Sequence, residues 1–524
     1  MPSKKRYWKS IEELKALDLP SGKGDGGFSP KSTTENFVPD DSFSRRDFMR
    51  ASGFGLAAAM VAGCEGPIQK AIPFVVKPEE IFSGLANYYA SSFIDGSDYC
   101  SIVVKTREGR PIKIEGNELS GITKGGTSAR VQASVLSLYD EEKRLHGPLH
   151  KKNPTTWDRI DENVVPLLRS FSAQGRKIVI LSQSIVSPST KSIYEEFVST
   201  YPGTRVVYYD PLSSSAMLMA NQHSFGKQII PHYRFDKADL IVSFSADFLG
   251  TWLSPIEFSK QYVQNRKLDG KESMSRHYQF ESGMSLTGSN ADYRFPVKPS
   301  EEGLILASLY NELARLADQT IHEIDALDFD LKPLAAELWK KRGKSIVVSG
   351  CNDPDHQILT NAINILLNNY GNTIDLSKPV NLKQGTDEDV INLVEEMNGG
   401  LIDTLIINQV NPVYDYPEPN RFIEGLAKVR LSISLSSVMD ETAALVTYVC
   451  PDNHFLESWN DAEPVKGFYS LSQPTIHRLF DTRAIQDGFL RWMEKDTTYY
   501  DYLLAFWKNN IFPLREYEEG DGED

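Results

Sequence analysis

The stretch from Ser44 to Cys64 constrains this chain most. Ser44-Arg45-Arg46-Asp47-Phe48-Met49-Arg50 leads straight into an apolar run from Ala51 to Gly63, and Cys64 follows. Paired arginines (Arg45, Arg46), an aromatic two places on and a weakly hydrophobic run make an export address of the twin-arginine type. That route carries chains already folded, so the body behind the address must fold before it crosses a membrane. The run is about 13 residues, short of the ~20 that span a bilayer, so it does not read as a stable membrane helix. The expected destination is the periplasmic face of the inner membrane. Val61-Ala62-Gly63-Cys64 also fits a lipobox, in which Cys64 would carry a lipid anchor; the alternative is an ordinary cysteine at the end of a signal.

A chain of 524 residues is too long for one core and implies two or three domains. Its net charge of −15 argues against a nucleic-acid or anionic-lipid surface. The four cysteines are Cys64, Cys100, Cys351 and Cys450. They are far apart and form no CxxC pair, so neither a four-cysteine iron–sulfur cluster nor a zinc site is supported. One disulfide among Cys100, Cys351 and Cys450 would suit an exported protein, and spacing does not choose the pair.

Taken in order, residues 1–43 are a preamble: a short amphipathic helix over Arg6–Leu17, then a Gly/Ser/Pro/Thr-rich linker over Ser21–Asp41. Residues 44–64 are the signal, and 65–170 form a β-rich leading region. In it, runs over Tyr99–Thr106 and Pro111–Asn117 flank a Glu-Gly turn and predict a hairpin. Helices are expected over Arg130–Arg144 and from Trp157 to about Ala173. From Gly175 strands alternate with helices, the pattern of a doubly wound parallel sheet. Strands are expected at Lys177–Ser182, Arg205–Asp210, Asp239–Asp247 and His277–Glu281. Ser187 would cap the first helix, with Pro188 at its first position. A second sheet is expected to begin near Lys344, with strands at Ser345–Gly350, Thr404–Gln409, Val429–Leu435 and Leu445–Cys450. The expected domains are therefore 171–335 and 336–510, followed by an acidic tail over 511–524.

Ligands of such sheets sit at the carboxyl ends of strands. That singles out Ser182, Asp210, Asp247 and Glu281, and each is read equally well as a helix cap or plain loop residue. His454 and Glu457 would make a metal pair only on a helix, and Pro451-Asp452-Asn453 argues for a loop. Trp252 and Trp459 read as core aromatics. Asp353-Pro354-Asp355-His356 reads as a helix start with His356 facing solvent.

Several of these segments carry a family resemblance. Gly109-Arg110-Pro111-Ile112-Lys113-Ile114-Glu115-Gly116-Asn117 resembles the opening hairpin of the molybdopterin oxidoreductases. Asp239–Asp247 with Phe248-Leu249-Gly250-Thr251-Trp252 resembles their second domain, and Asn408-Gln409-Val410-Asn411-Pro412-Val413-Tyr414 a strand-end loop of the third. Tyr448-Val449-Cys450-Pro451-Asp452-Asn453-His454-Phe455-Leu456-Glu457-Ser458-Trp459 is similar to a further segment of the family. The preamble Tyr7–Leu14 before an internal twin-arginine motif resembles the large periplasmic subunit of alternative complex III, a quinol-oxidising respiratory complex.

The resemblance implies an α/β fold of two doubly wound parallel-sheet domains with a small β-rich leading region. It also implies a non-catalytic scaffold without a cofactor of its own, working with an iron–sulfur ferredoxin-like partner, membrane quinol-oxidising subunits and cytochrome c subunits. The cysteine quartet that catalytic relatives carry before the hairpin is reduced here to Cys100, and no Cys or Ser stands out as a molybdenum ligand. The family's C-terminal β-barrel has no room after Ile511, and the ferredoxin-like half is absent, so the expectation is a split subunit or a truncated product. The alternative is an active enzyme that binds bis-molybdopterin guanine dinucleotide. Ser182, Asp210, Asp247, Glu281, Asn408 and Asn411 would then hold the dinucleotide tails.

Overall fold

The computed structural model describes residues 85–95, 98–268, 274–325 and 329–514. The preamble helix, the twin-arginine stretch, Cys64 and residues 515–524 of the acidic tail lie outside the described residues.

The hairpin expected in the leading region forms, with a further strand before it. Ala86–Asp95, Asp98–Arg107 and Arg110–Gly116 make a three-stranded antiparallel sheet. Glu108 and Gly109 both take positive φ, 52° and 76°, which matches the turn to the twist of the strands it joins. Ile102, Val104 and Ile114 point inward against Val131 and Val135 of the helix Ala129–Ser137. That helix is shorter than the expected Arg130–Arg144, because the chain turns at Leu138 and sends Arg144 into the interior.

A seven-stranded sheet is the frame of the molecule. Its order is Asn153–Pro154, Leu149–His150, Tyr448–Val449, Leu431–Ser434, Ile402–Asn408, Lys177–Ser182, Thr204–Tyr208. The last five strands run parallel, and the two short ones at the first edge are antiparallel. Ile178–Leu181 and Leu405–Ile407 are continuous apolar runs because both faces are covered. One face packs on the helices Trp157–Ala173, Pro188–Thr200 and Ile485–Trp492, the other on Asp387–Asn398 and Pro419–Leu426. Ser187 caps Pro188–Thr200 through Thr190 N, with Pro188 at the start of the helix.

A second parallel sheet has the order Tyr293–Pro296, Arg276–Glu281, Leu240–Phe244, Ser345–Ser349. The fold class is thus the expected α/β with two parallel sheets, but the sheets are not consecutive in the chain. The expected boundary at 335/336 cuts through the second sheet, since Ser345–Ser349 pairs with Leu240–Phe244. The large sheet opens before this excursion and resumes at Ile402. A doubly wound sheet adds its returning strand on the far side of its first one. Strand–helix alternation reads the same whichever sheet the next strand joins.

An antiparallel sheet in the order Phe468–Ser472, Asn460–Val465, Ile374–Val380, Ile230–Tyr233 was not expected. It draws its strands from three separated places, the hairpin Asn460–Ser472 supplying two of them. Among the described residues there is no closed barrel, and no helix is long and apolar enough to cross a membrane. Cys100, Cys351 and Cys450 are all free thiols.

The helix Pro354–Leu366 starts as its sequence proposes. The Asp353 carboxylate accepts from Asp355 N at 2.9 Å and His356 N at 3.1 Å. Asp353→Ala should cost about 1 kcal/mol of stability, the usual worth of such a cap, read as a lower urea midpoint at unchanged slope.

Candidate functional site: the crevice at the carboxyl edge of the large sheet

The large sheet winds outward in two directions from Lys177–Ser182 and Ile402–Asn408. Thr204–Tyr208 lies on one side, Leu431–Ser434 and Tyr448–Val449 on the other. Loops leaving the two central strands therefore diverge and leave a crevice. It has a volume of about 800 Å³ and is lined by Gln183, Asp210, Gln409, Asn411, Ser436 and Asp452, among others. A smaller cavity of about 120 Å³ adjoins it, reaching Ser184, Asn408 and Asn460.

Four of the six candidate residues gather here. Asn408 stands opposite Ser182 in the ladder and donates to Ser182 Oγ at 3.0 Å and to Tyr194 Oη at 2.9 Å. Its Oδ1 is buried without a partner. Asp210 accepts from Ser184 Oγ at 2.7 Å, Gly385 N at 2.9 Å and Gln384 N at 3.1 Å, tying two loops together. Asn411 Oδ1 accepts from Thr442 Oγ1 at 2.7 Å and Thr442 N at 3.1 Å.

Asp247 and Glu281 belong to the other sheet. Asp247 Oδ1 accepts from Thr287 Oγ1 at 2.8 Å and Thr287 N at 3.0 Å. Glu281 accepts from Ser285 Oγ and Arg294 Nε, both at 2.6 Å, and from Gln279 Nε2 at 3.1 Å. The second sheet reverses its winding between Leu240–Phe244 and Ser345–Ser349. A Cβ on Gly350 would lie 2.4 Å from Ser245 O, so only glycine allows the two strand ends to meet so closely. Glu302 receives Ser245 Oγ at 2.8 Å, and burial raises its carboxyl. His356 does not face solvent freely as expected. It is half-buried over Gly303, which has no side chain to hold it off, and its Nδ1 has no partner.

The floor of the large crevice is residues 452–457, a loop whose chemistry the sequence did not reveal. Asp452 Oδ1 accepts from Asn453 N at 2.8 Å and Ile485 N at 3.1 Å, and Oδ2 from Gln409 Nε2 at 3.1 Å. Burial nevertheless pushes this carboxyl up to about 7. Leu456 N donates to His454 Nδ1, so Nε2 carries the proton and reaches Ser137 Oγ at 3.0 Å. Burial, with Arg144 nearby, pushes His454 down to about 4, so its ring is neutral at pH 7. Glu457 does not pair with His454 around a metal. Its carboxylate grips the Arg144 guanidinium at 2.6 and 3.1 Å and accepts from His454 N and Leu479 N. No group of three or more metal-ligating side chains occurs among the described residues. Trp252 packs on Tyr233 and Phe258, and Trp459 against the large core, as expected of core aromatics.

No protein-family model matches the sequence. The chain is 23% identical over 445 residues to the menaquinone reductase molybdopterin-binding-like subunit of Nitratidesulfovibrio vulgaris, covering 74% of this chain and 62% of that one. It is 18% identical over 293 residues to the arsenate respiratory reductase molybdopterin-containing subunit of Shewanella sp. strain ANA-3, covering 51% and 32%. It thus spans less than two thirds of either relative. Its fold resembles acetylene hydratase from Pelobacter acetylenicus, with a TM-score of 0.59 at 11% identity over 77% of this chain and 69% of that one. Sequence likeness and shared fold together make the chain similar to proteins of the molybdopterin oxidoreductase superfamily.

Proposed function

We propose that this chain is a periplasmic subunit of a respiratory quinol-oxidising electron-transfer complex of the alternative complex III type. In it the chain is a scaffold for an iron–sulfur partner, beside membrane quinol-oxidising and cytochrome c subunits, with no active site of its own. The relative named as a molybdopterin-binding-like subunit of menaquinone reductase supports the respiratory setting. Residues 44–64 support export, and Cys64 a lipid anchor.

One observation carries the scaffold reading: five of the six residues that would hold a pterin dinucleotide are already engaged inside the protein, and only Asn408 keeps an open acceptor. Asp210, Asp247, Glu281 and Asn411 each bind backbone amides or neighbouring side chains of this chain. Ser182 Oγ donates to Gln183 O and accepts from Asn408. The crevice is also lined by five carboxylates against two cations, the wrong balance for phosphates. This donor set does not fit an anionic dinucleotide, and no reaction step is assigned to one. The alternative, an active bis-molybdopterin guanine dinucleotide enzyme, draws on the relatives named as molybdopterin-binding-like and molybdopterin-containing subunits and on the crevice volume, which falls in the range of ligand pockets.

Elemental mass spectrometry on the purified complex separates the two. Molybdenum and tungsten at background, in a complex that still oxidises quinol, is the expected result. About one metal per chain would overturn the scaffold reading.

A further inference from the structure

We propose that the large crevice receives a basic, apolar-flanked polypeptide segment of a partner chain. The inference rests on the scaffold reading, since a dinucleotide would fill the same space.

Charge is the first argument. The lining carboxylates are Asp95, Asp210, Asp415, Asp440 and Asp452. The lining cations, Arg130 and Lys383, are both engaged. Arg130 is paired with Asp98 and lies 3.8 Å from Asp95. Lys383 is buried beside Asp210. His454 is neutral at pH 7. Asp415 accepts from Tyr209 Oη at 2.9 Å, and burial together with neighbouring Asp440 raises its carboxyl. Two carboxylates facing one space without a cation favour an incoming one.

The second argument is independent of charge. Asn408 is 4% exposed, and its amide nitrogen is fixed by Ser182 and Tyr194. Asn408 lines the small cavity, and its side-chain oxygen is buried with no donor. A buried acceptor left open is costly, and an ammonium or guanidinium reaching down from the crevice would supply the donor.

The third argument separates a polypeptide from a small cation. Leu212 lines the mouth at 70% exposure, with Val410 and Phe455 in the same lining. Exposed Leu212 and the half-buried Phe455 ring beside the carboxylates suit alternating apolar and basic side chains better than a polyamine, whose short methylene spacers carry no branched or aromatic group to bury there.

Fluorescence anisotropy on the purified full chain tests this. The probes are a labelled decapeptide alternating Lys and Leu and its Glu/Leu counterpart, with spermine and guanosine diphosphate as competitors. The Lys/Leu peptide should bind at least about tenfold tighter than the Glu/Leu peptide, and weaken with added salt. Asp415→Asn combined with Asp440→Asn keeps the acceptor oxygens for Tyr209 and Ala443 and should weaken binding by about tenfold. Asp158→Asn, on the exposed side of the helix Trp157–Ala173, should leave it unchanged.

Equal or absent binding of the two peptides, insensitivity to the paired variants, or spermine or guanosine diphosphate binding as tightly as the peptide would each overturn the inference. One molybdenum per chain would instead remove the scaffold reading beneath it. A metal-free chain that fails to discriminate the peptides removes this inference alone.

Discussion

Arg144→Met should lower the stability of the chain by about 3–5 kcal/mol, the cost of leaving one member of a buried ion pair without its partner. The Arg144 and Glu457 side chains are 4% and 0% exposed and meet through two hydrogen bonds. Arg144 also donates to Leu138 O at 2.9 Å and lies over the Phe480 ring. Glu457 would be left with only two backbone amides, His454 N and Leu479 N. The double replacement Arg144→Met with Glu457→Leu should recover part of the loss, because no buried charge then remains. Urea unfolding of the three variants and the parent is the measurement. A single variant as stable as the parent would show that the pair is not buried in solution.

The same pair sets an acid limit. Burial raises the Glu457 carboxyl, but Arg144 and the two amides outweigh it and hold it below the usual carboxylate range. Its stabilising contribution is therefore fully present above the unfolded value, about 4.3, and is lost as pH falls through the lower folded value. The bond also joins the leading region to the floor of the crevice, across 313 positions of sequence.

Local features of this fold were legible in the sequence, and long-range ones were not. The hairpin around Glu108-Gly109, the helix Trp157–Ala173 and the Ser187-Pro188 cap follow from periodicity and turn chemistry, which act over a few residues. The sheet partner of Ser345–Ser349 depends on winding direction, which leaves no local mark. The antiparallel sheet was missed because its hairpin, Asn460–Ser472, pairs with Ile374–Val380 and Ile230–Tyr233 from two remote places, and that pairing leaves no local mark. At the crevice, the strand-end rule found Ser182, Asp210, Asn408 and Asn411. It could not tell that most of their polar atoms are bonded within the protein. Asp452 escaped because it lies on a loop after a two-residue strand, and its neighbours Gln409 and Ile485 are far off in sequence.

Asp452→Asn should stabilise the chain at pH 8 and leave it nearly unchanged at pH 4. The folded carboxyl titrates at about 7, raised chiefly by burial, against about 3.9 in the unfolded chain. Between these values the folded state holds a proton that the unfolded state has released, so the contribution of Asp452 to stability falls as pH rises from 4 to 7 and levels off above. The full penalty is roughly 4 kcal/mol, as an upper bound. An asparagine keeps the acceptor for Asn453 N and Ile485 N and carries no charge to desolvate, though the Gln409 amide must turn to accept from it. Urea midpoints at pH 4, 6 and 8 should show the variant's advantage over the parent growing with pH, since every other titrating group is common to both, and parallel profiles would refute the assignment. The crevice occupant enters the same balance. A lysine-bearing peptide near Asp452 would favour the ionised carboxylate and lower its titration point. Saturating the parent with the Lys/Leu peptide should therefore flatten its profile toward that of the variant.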